Sequence, residues 1–173
     1  TGNRFIVPAE IKTAVNEAVK VPIIPDLLVP GTTVGSVSIF LAVDTSHFEA
    51  VDQDTSTAGI QPFALGENAE ILIGNVNQGV ITQGGQHHLE FIYNDYVTGL
   101  TFFNGRELLA IANLRPKALA SGTVLNTTIE LGRSGSRETK MRDMGTNKIA
   151  ASLPADINVE VRRRASVTVE VPL

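Results

Sequence analysis

The chain contains no cysteine and no tryptophan, and only two tyrosines in 173 residues. Without cysteine there can be no disulfide, no thiolate metal site and no cysteine nucleophile. The cellular compartment stays open. With tyrosine only at 93 and 96, the aligned aromatic surfaces usual in sugar binding are scarce. Charge is also sparse. Charged residues make up 18% and the net charge is −4, which argues against a nucleic-acid partner. No run reaches the roughly 18 uninterrupted apolar residues that a membrane-spanning helix needs. Residue 1 is Thr, and residues 1–8 carry no basic-then-apolar signal pattern, so the chain reads as a trimmed segment or a mature form.

What is present is a series of short β-type runs separated by Gly, Pro, Asn and Asp. Apolar residues make up 43%, enough for one domain with a sizeable core. The runs fall at 4–7, 18–24, 34–43, 47–53, 69–76, 87–93, 107–114, 123–131, 148–152 and 157–161. Pro22 suggests a sheet edge within the second run. This spacing predicts an all-β chain, an antiparallel β-sandwich of about nine to eleven strands with little helix. In 9–20, Ile11, Ala14, Val15, Ala18 and Val19 sit at helical spacing and predict a short helix or turn ending near Asn16. The domain is expected to span 1–161. The basic triplet Arg162 to Arg164 would open a last-strand extension or a linker over 162–173.

Catalytic signals are thin. The three histidines, His47, His87 and His88, stand near no G-x-S-x-G turn. His87 and His88 are neighbours on a strand and point to opposite faces, so they cannot share one metal. Asp52 and Asp54 lie two apart, as in calcium loops, but Ser56 and Thr57 break that pattern and leave turn residues as the better reading. The Gly-rich stretch "GNVNQGVITQGGQ" (74–86) lacks the Lys and the following helix of a phosphate loop, and reads as a flexible hairpin connection. No nucleophile, acid–base pair or metal cluster stands at usable spacing. The expectation is a protein without cofactor and without enzymatic activity.

One stretch poses a question. In "SVSIFLAV" (36–43), Val37, Ile39, Leu41 and Val43 share a face by strict alternation. Phe40 falls on the other face with Ser36, Ser38 and Ala42. A large aromatic there is expected to be exposed, unless a loop covers it.

Three stretches resemble the cohesin family, the sandwich modules that receive dockerin domains. "VKVPIIPDLLVPGTTVGSVSIFLAVDTSHFEAV" (19–51) is similar to the family's opening "V-x-V-P-V", then "G-x-x-x-F-x-L-x-Y-D", then "P-x-x-L-E-V". Asp44 matches the aspartate, Phe48 the leucine, and Glu49, Ala50 and Val51 the "E-V-V" run. "ELLAIANLRPKALASGTVLNTTIEL" (107–131) resembles "G-x-L-A-x-I-x-F-x-V-x-x-x-A-x-G-x-T-x-I-x-L". "MRDMGTNKIAASLPADINVEV" (141–161) resembles "D-x-x-G-x-x-I…G-x-I-x-V". Thr45 stands where the family usually has Pro and Val43 where it has Tyr. Residues 60–86 have no clear counterpart.

The resemblance implies a jelly-roll or Greek-key sandwich in which strands 34–43, 87–93 and 123–131 share one sheet. The outer face of that sheet would receive a dockerin-type domain, whose calcium belongs to the partner. The face would carry Ser36, Ser38, Phe40, His88, Glu90, Ile92, Asn126 and Thr128 as the partner-binding set, with Phe40 at its centre. It also implies an extracellular or cell-surface setting. Two alternatives share the architecture: a carbohydrate-binding module, and a structural adhesin or surface-layer domain.

Overall fold

A computed structural model gives the structure, and describes residues 2–67 and 75–163. Nearly all regular structure is strand. Fifteen strand segments are formed among the described residues: β1 Asn3–Ile6, β2 Glu10–Ala14, β3 Val19–Asp26, β4 Thr32–Asp44, β5 Phe48–Ala50, β6 Phe63–Leu65, β7 Val76–Gln83, β8 Gln86–Asn94, β9 Leu100–Phe102, β10 Ala110–Pro116, β11 Val124–Leu131, β12 Lys140–Asp143, β13 Lys148–Ile149, β14 Ala151–Ser152 and β15 Ile157–Arg162. The count exceeds the sequence expectation because β2, β6, β7, β9 and β12 form outside the expected runs and one run is divided. That run, 148–152, divides into β13 and β14, which join different sheets.

The smaller sheet runs β14-β1-β3-β10-β5, with β6 also on β10. The larger runs β13-β12-β4-β11-β15-β2, with β8 and β9 on β4 and β7 on β8. Pairing is antiparallel except for β1 with β14 and β2 with β15. The inward positions of both sheets meet in one core. Val37, Ile39, Leu41 and Val43 of β4 and Leu89, Phe91 and Tyr93 of β8 face Val19, Val21, Ile23, Phe48, Phe63, Ala110, Ala112 and Leu114. Phe63 and Phe91 meet edge to face across the two sheets, centroids 5.4 Å apart.

The helix expected near residues 9–16 does not form. Residues 10–14 are strand β2, laid beside β15 with Ile11 opposite Val159 and Thr13 opposite Val161. The physical reason is a shared periodicity: Ile11 and Val15 lie four apart, so both a helix and a strand put them on one face. The open edge of β15 decides in favour of the strand. The turn does fall at Val15 and Asn16. Pro22 lies in an interior strand, but β1 stops at Ile6, opposite Ile24, so at Pro22 only β10 is paired. The run expected at 69–76 lies, but for its end, outside the described residues, as does most of 162–173. Residues 76–83, read as a flexible connection, are instead a full strand. Gly84 and Gly85, with φ of 61° and 76°, make the two-residue turn back to β8.

Asp26 ties β1 and the loop before β10 to the end of β3, accepting from Arg4 Nε at 2.9 Å and Arg106 Nη2 at 3.1 Å. Those two hydrogen bonds hold its carboxyl below the usual range. Tyr93 is 1% exposed, and its hydroxyl finds no hydrogen-bond partner among the described residues. Burial, then the nearby Asp95, push its pKa up to about 12. An unsatisfied buried hydroxyl costs about 1–3 kcal/mol. Tyr93→Phe is therefore expected to leave stability unchanged or raise it by about 1 kcal/mol in a denaturant titration. A clear loss would show that the hydroxyl has a partner.

Candidate interaction face

The outer face of the larger sheet is set by the register of β4. Ser36 lies between Arg142 of β12 and Asn94 of β8. Ser38 lies between Lys140 and Ile92, and Asn77 of β7 continues that row. Phe40 pairs with Glu90, which pairs with Gly79. Ala42 lies between Glu130 and His88, and Ile81 follows. The structure thus brings Ser36, Ser38, Phe40, His88, Glu90 and Ile92 together as one block. Asn126 and Thr128 share the sheet and the face, but β11 touches β4 only at Glu130 and Leu131. They sit apart, beside Asn158 and Glu160 of β15 and Glu10 of β2, and line a shallow polar groove of about 600 Å³.

The expectation that Phe40 is exposed is overturned. It points away from the core, as the alternation requires, yet is only 7% exposed. The cause is the segment 132–139. Strand β11 leaves the β4 edge at Leu131, and β12 returns to it at Lys140. Between them the chain makes an excursion with a single 3-10 turn at Gly135–Arg137. Its neck is pinned to Phe40: Gly132 N–H donates to the Phe40 carbonyl at 2.8 Å, and Phe40 N–H donates to Thr139 Oγ1 at 3.2 Å. A side chain at Gly132 would collide with the Arg137 carbonyl and with Phe40 Cβ. From the turn, Arg137 reaches over β4 to Glu90 Oε1 at 3.6 Å and Gln83 Oε1 at 3.5 Å. Phe40 is therefore a seal beneath this bracket, not the centre of an open face. Ser36 and Ser38, at 8% and 9% exposed, are likewise nearly covered.

The accessible part of the block lies toward β8 and β7. Ile92 is half-buried, and Ile81 is 45% exposed. His88 lies opposite Ile81 on the same face, and Glu90 separates it from Ile92 along β8. Burial, then the Arg137 guanidinium, hold its pKa below the ordinary histidine value, against the opposing pull of Glu90 and Glu130. Its ring is thus neutral at physiological pH. The bracket was missed in the sequence because nothing in "LGRSGSRETK" is apolar beyond Leu131; the available signal was Gly132 ending an alternating run that resumes at Met141.

The other singled-out groups serve the fold. His47 Nδ1 bonds Thr127 Oγ1 at 2.8 Å, and His87 Nδ1 bonds Thr82 Oγ1 at 2.7 Å. Asp52 Oδ1 accepts from the N–H groups of Asp54 and Gln61. Asp54 accepts from Ser56 and Thr57, and these bonds hold its pKa low. Both carboxylates behave as turn residues.

Neither a protein-family model nor a curated protein matches the sequence. Solved structures do. The type I cohesin–dockerin complex Coh-OlpC-Doc435 of Clostridium thermocellum contains a chain matching at TM-score 0.68 and 17% identity, over 94% of both chains. The Coh-OlpA-Doc918 complex of the same organism matches at TM-score 0.67 and 12% identity, over 94% of this chain and 100% of that one. A non-cellulosomal cohesin of Archaeoglobus fulgidus matches at TM-score 0.56 and 14% identity, over 94% and 92%.

The chain has the cohesin fold. At these identities the likeness is one of fold, and the local chemistry of this cohesin-like face must be read from its own residues. Phe40 is the first test of that reading. Phe40→Ala empties a closed site between β4 and the bracket. It is expected to cost about 3 kcal/mol of stability, the scale of a buried Phe truncation. Equilibrium unfolding checks this, and an unchanged midpoint would mean that the bracket does not seal the residue.

Proposed function

We propose that the chain is a non-catalytic docking module that binds a dockerin-type protein domain through the outer face of the larger sheet. The observation that carries this reading is the cohesin fold itself, joined to a face on that sheet where Ile92 and Ile81 stand among polar groups. An apolar centre with a polar rim is the ordinary anatomy of a protein-binding surface. Two of the fold matches are described as cohesin–dockerin complexes. Calcium would belong to the partner, and the setting would be extracellular or cell-surface.

The docking centre lies nearer the β7 side than the alternation of β4 suggests. Phe40 is sealed, so Ile92 takes its place, flanked by Asn77, Glu90 and Asn94. Ser36 and Ser38, which are nearly covered, would border the contact rather than carry it. Asn126 and Thr128, in their separate polar groove, would contact the rim of a long partner. Docking needs little movement here, because every group named sits on a paired strand. The carbohydrate-binding alternative is weakened by the placement of Tyr93, whose ring is buried in the core.

Isothermal titration with calcium-loaded dockerin domains tests the reading. Ile92→Asp is expected to weaken binding by about 2 kcal/mol or more, roughly thirtyfold, with the melting temperature nearly unchanged. If a dockerin binds and this substitution leaves its affinity intact, the docking face lies elsewhere. If no dockerin binds while an insoluble glycan does, the module belongs to the other class.

A further inference from the structure

The free edges of the two sheets are not alike. β13 and β14 have two residues each, and β5, β6 and β9 have three. β2 is longer but carries Glu10 and Lys12. Short or charged edges resist pairing with another chain. β7 has neither protection. It is eight residues long, "VNQGVITQ", with no charge and no proline, and its register with β8 runs unbroken from Val76–Tyr93 to Gln83–Gln86. Among the described residues it pairs with β8 alone.

The hairpin fixes which groups are free. A two-residue turn closes on a hydrogen-bonded pair, here Gln83 with Gln86. Alternation then turns Ile81, Gly79 and Asn77 toward β8. The N–H and C=O groups of Val76, Gln78, Val80 and Thr82 point outward, and no backbone bond to another described residue satisfies them.

We propose that β7 pairs with β7 of a second copy of this chain, antiparallel, about a two-fold axis at Gly79. Of the symmetric registers, this one uses all four outward residues. Val76 meets Thr82 of the second copy and Gln78 meets its Val80, each as a hydrogen-bonded pair. Gly79 meets Gly79 at the centre, a non-bonded position where chains approach most closely. A Cβ placed on Gly79 has nothing within 4 Å, so this spot is open in the monomer. Ile81, 45% exposed, would cover the neighbouring backbone of the second copy. A second copy is the fitting occupant because the edge is self-complementary and uncharged, and the nearest charge, Glu90, is already paired with Arg137. The overall charge of −4 is thus kept away from the seam.

This arrangement has a consequence for docking, and that consequence alone rests on the function proposed above. The two-fold axis stands perpendicular to the joined sheet. Both outer faces then look the same way, and the pair presents two docking faces on one side. A partner array would gain avidity from that geometry.

Analytical ultracentrifugation of the chain alone tests the pairing without any dockerin, so its failure is separate from a failure of docking. The mass is expected to rise with concentration from 18.5 kDa toward twice that value. Gly79→Lys places a cation opposite Glu90 of its own hairpin, which suits the monomer. In the pair it sets two like charges face to face, and should lower the association constant about tenfold or more. The chain has no other cysteine, so Gly79→Cys should give a disulfide-linked dimer under mild oxidation. A chain that stays monomeric at millimolar concentration overturns the proposal. So does a dimer that persists in Gly79→Lys, or one that forms in Gly79→Cys without cross-linking.

Discussion

Strand β4 is the constraint on which the larger sheet depends. It is thirteen residues long and has partner strands on both edges. On one edge β9 takes residues 32–34 and β8 takes 36–44. On the other, β12 takes 34–38 and β11 takes 41–42. The side-chain period of two allows one register for the buried set Val37, Ile39, Leu41 and Val43. A slip by one residue would exchange that set for Ser36, Ser38 and Phe40. Every position on the outer face therefore inherits its place from the apolar side of one strand.

The second edge of β4 has a gap at residues 39–40, and Phe40 sits in it. Backbone groups that face such a gap must be satisfied, because a buried orphan costs as much as a lost hydrogen bond. Gly132 and Thr139 do this with a backbone amide and a side-chain hydroxyl. Thr139 serves both sides, accepting from Phe40 N–H and donating to the Phe40 carbonyl at 3.3 Å. Thr139 is itself 3% exposed. The chain between them is then free to leave the sheet and return, and Arg137 uses the excursion to clamp the face. A packing problem on one strand has thus become a bracket that moves the accessible apolar surface from β4 toward β8.

Much of this was legible from period-two patterning. The inward and outward sets of β4, β8 and β11 follow directly from it, and so does the opposition of His87 to His88. Parity gives a face, however, and not its exposure. Parity puts Phe40 on the outer side but does not decide between exposure and cover by a loop, because the cover comes from a polar segment with no periodic signal. Residues 9–16 were misread because Ile11 and Val15 satisfy two periods at once, and only a distant strand, β15, arbitrates. Strand β7 was missed for a different reason. Gly79 interrupts its alternation, and the flanking Gly84 and Gly85 made the whole stretch look like a connection. Asn126 and Thr128 were placed on the right face, but the sequence carries no information on how far β11 diverges from β4.

The same residues explain why β7 differs from the other edges. Uncharged side chains with a central glycine give a strand that is weakly specified on its own and, among the described residues, paired only with β8. Its inward residues reinforce it from below. Gln78 bonds both the N–H and the C=O of Phe63, at 2.7 and 2.9 Å, so its amide acts as a short stand-in for a paired strand at the β6 edge. That contact closes the sandwich at one point and leaves the lateral edge of β7 unpaired. An edge of this kind can be kept open by charge, as β2 is, or by shortness, as β5 and β6 are. β7 has neither, and it borders the face that carries Ile92. Among the described residues the longest unprotected backbone edge and the accessible apolar surface lie on adjacent strands of one hairpin, so whatever joins that edge also sets the spacing of the docking faces.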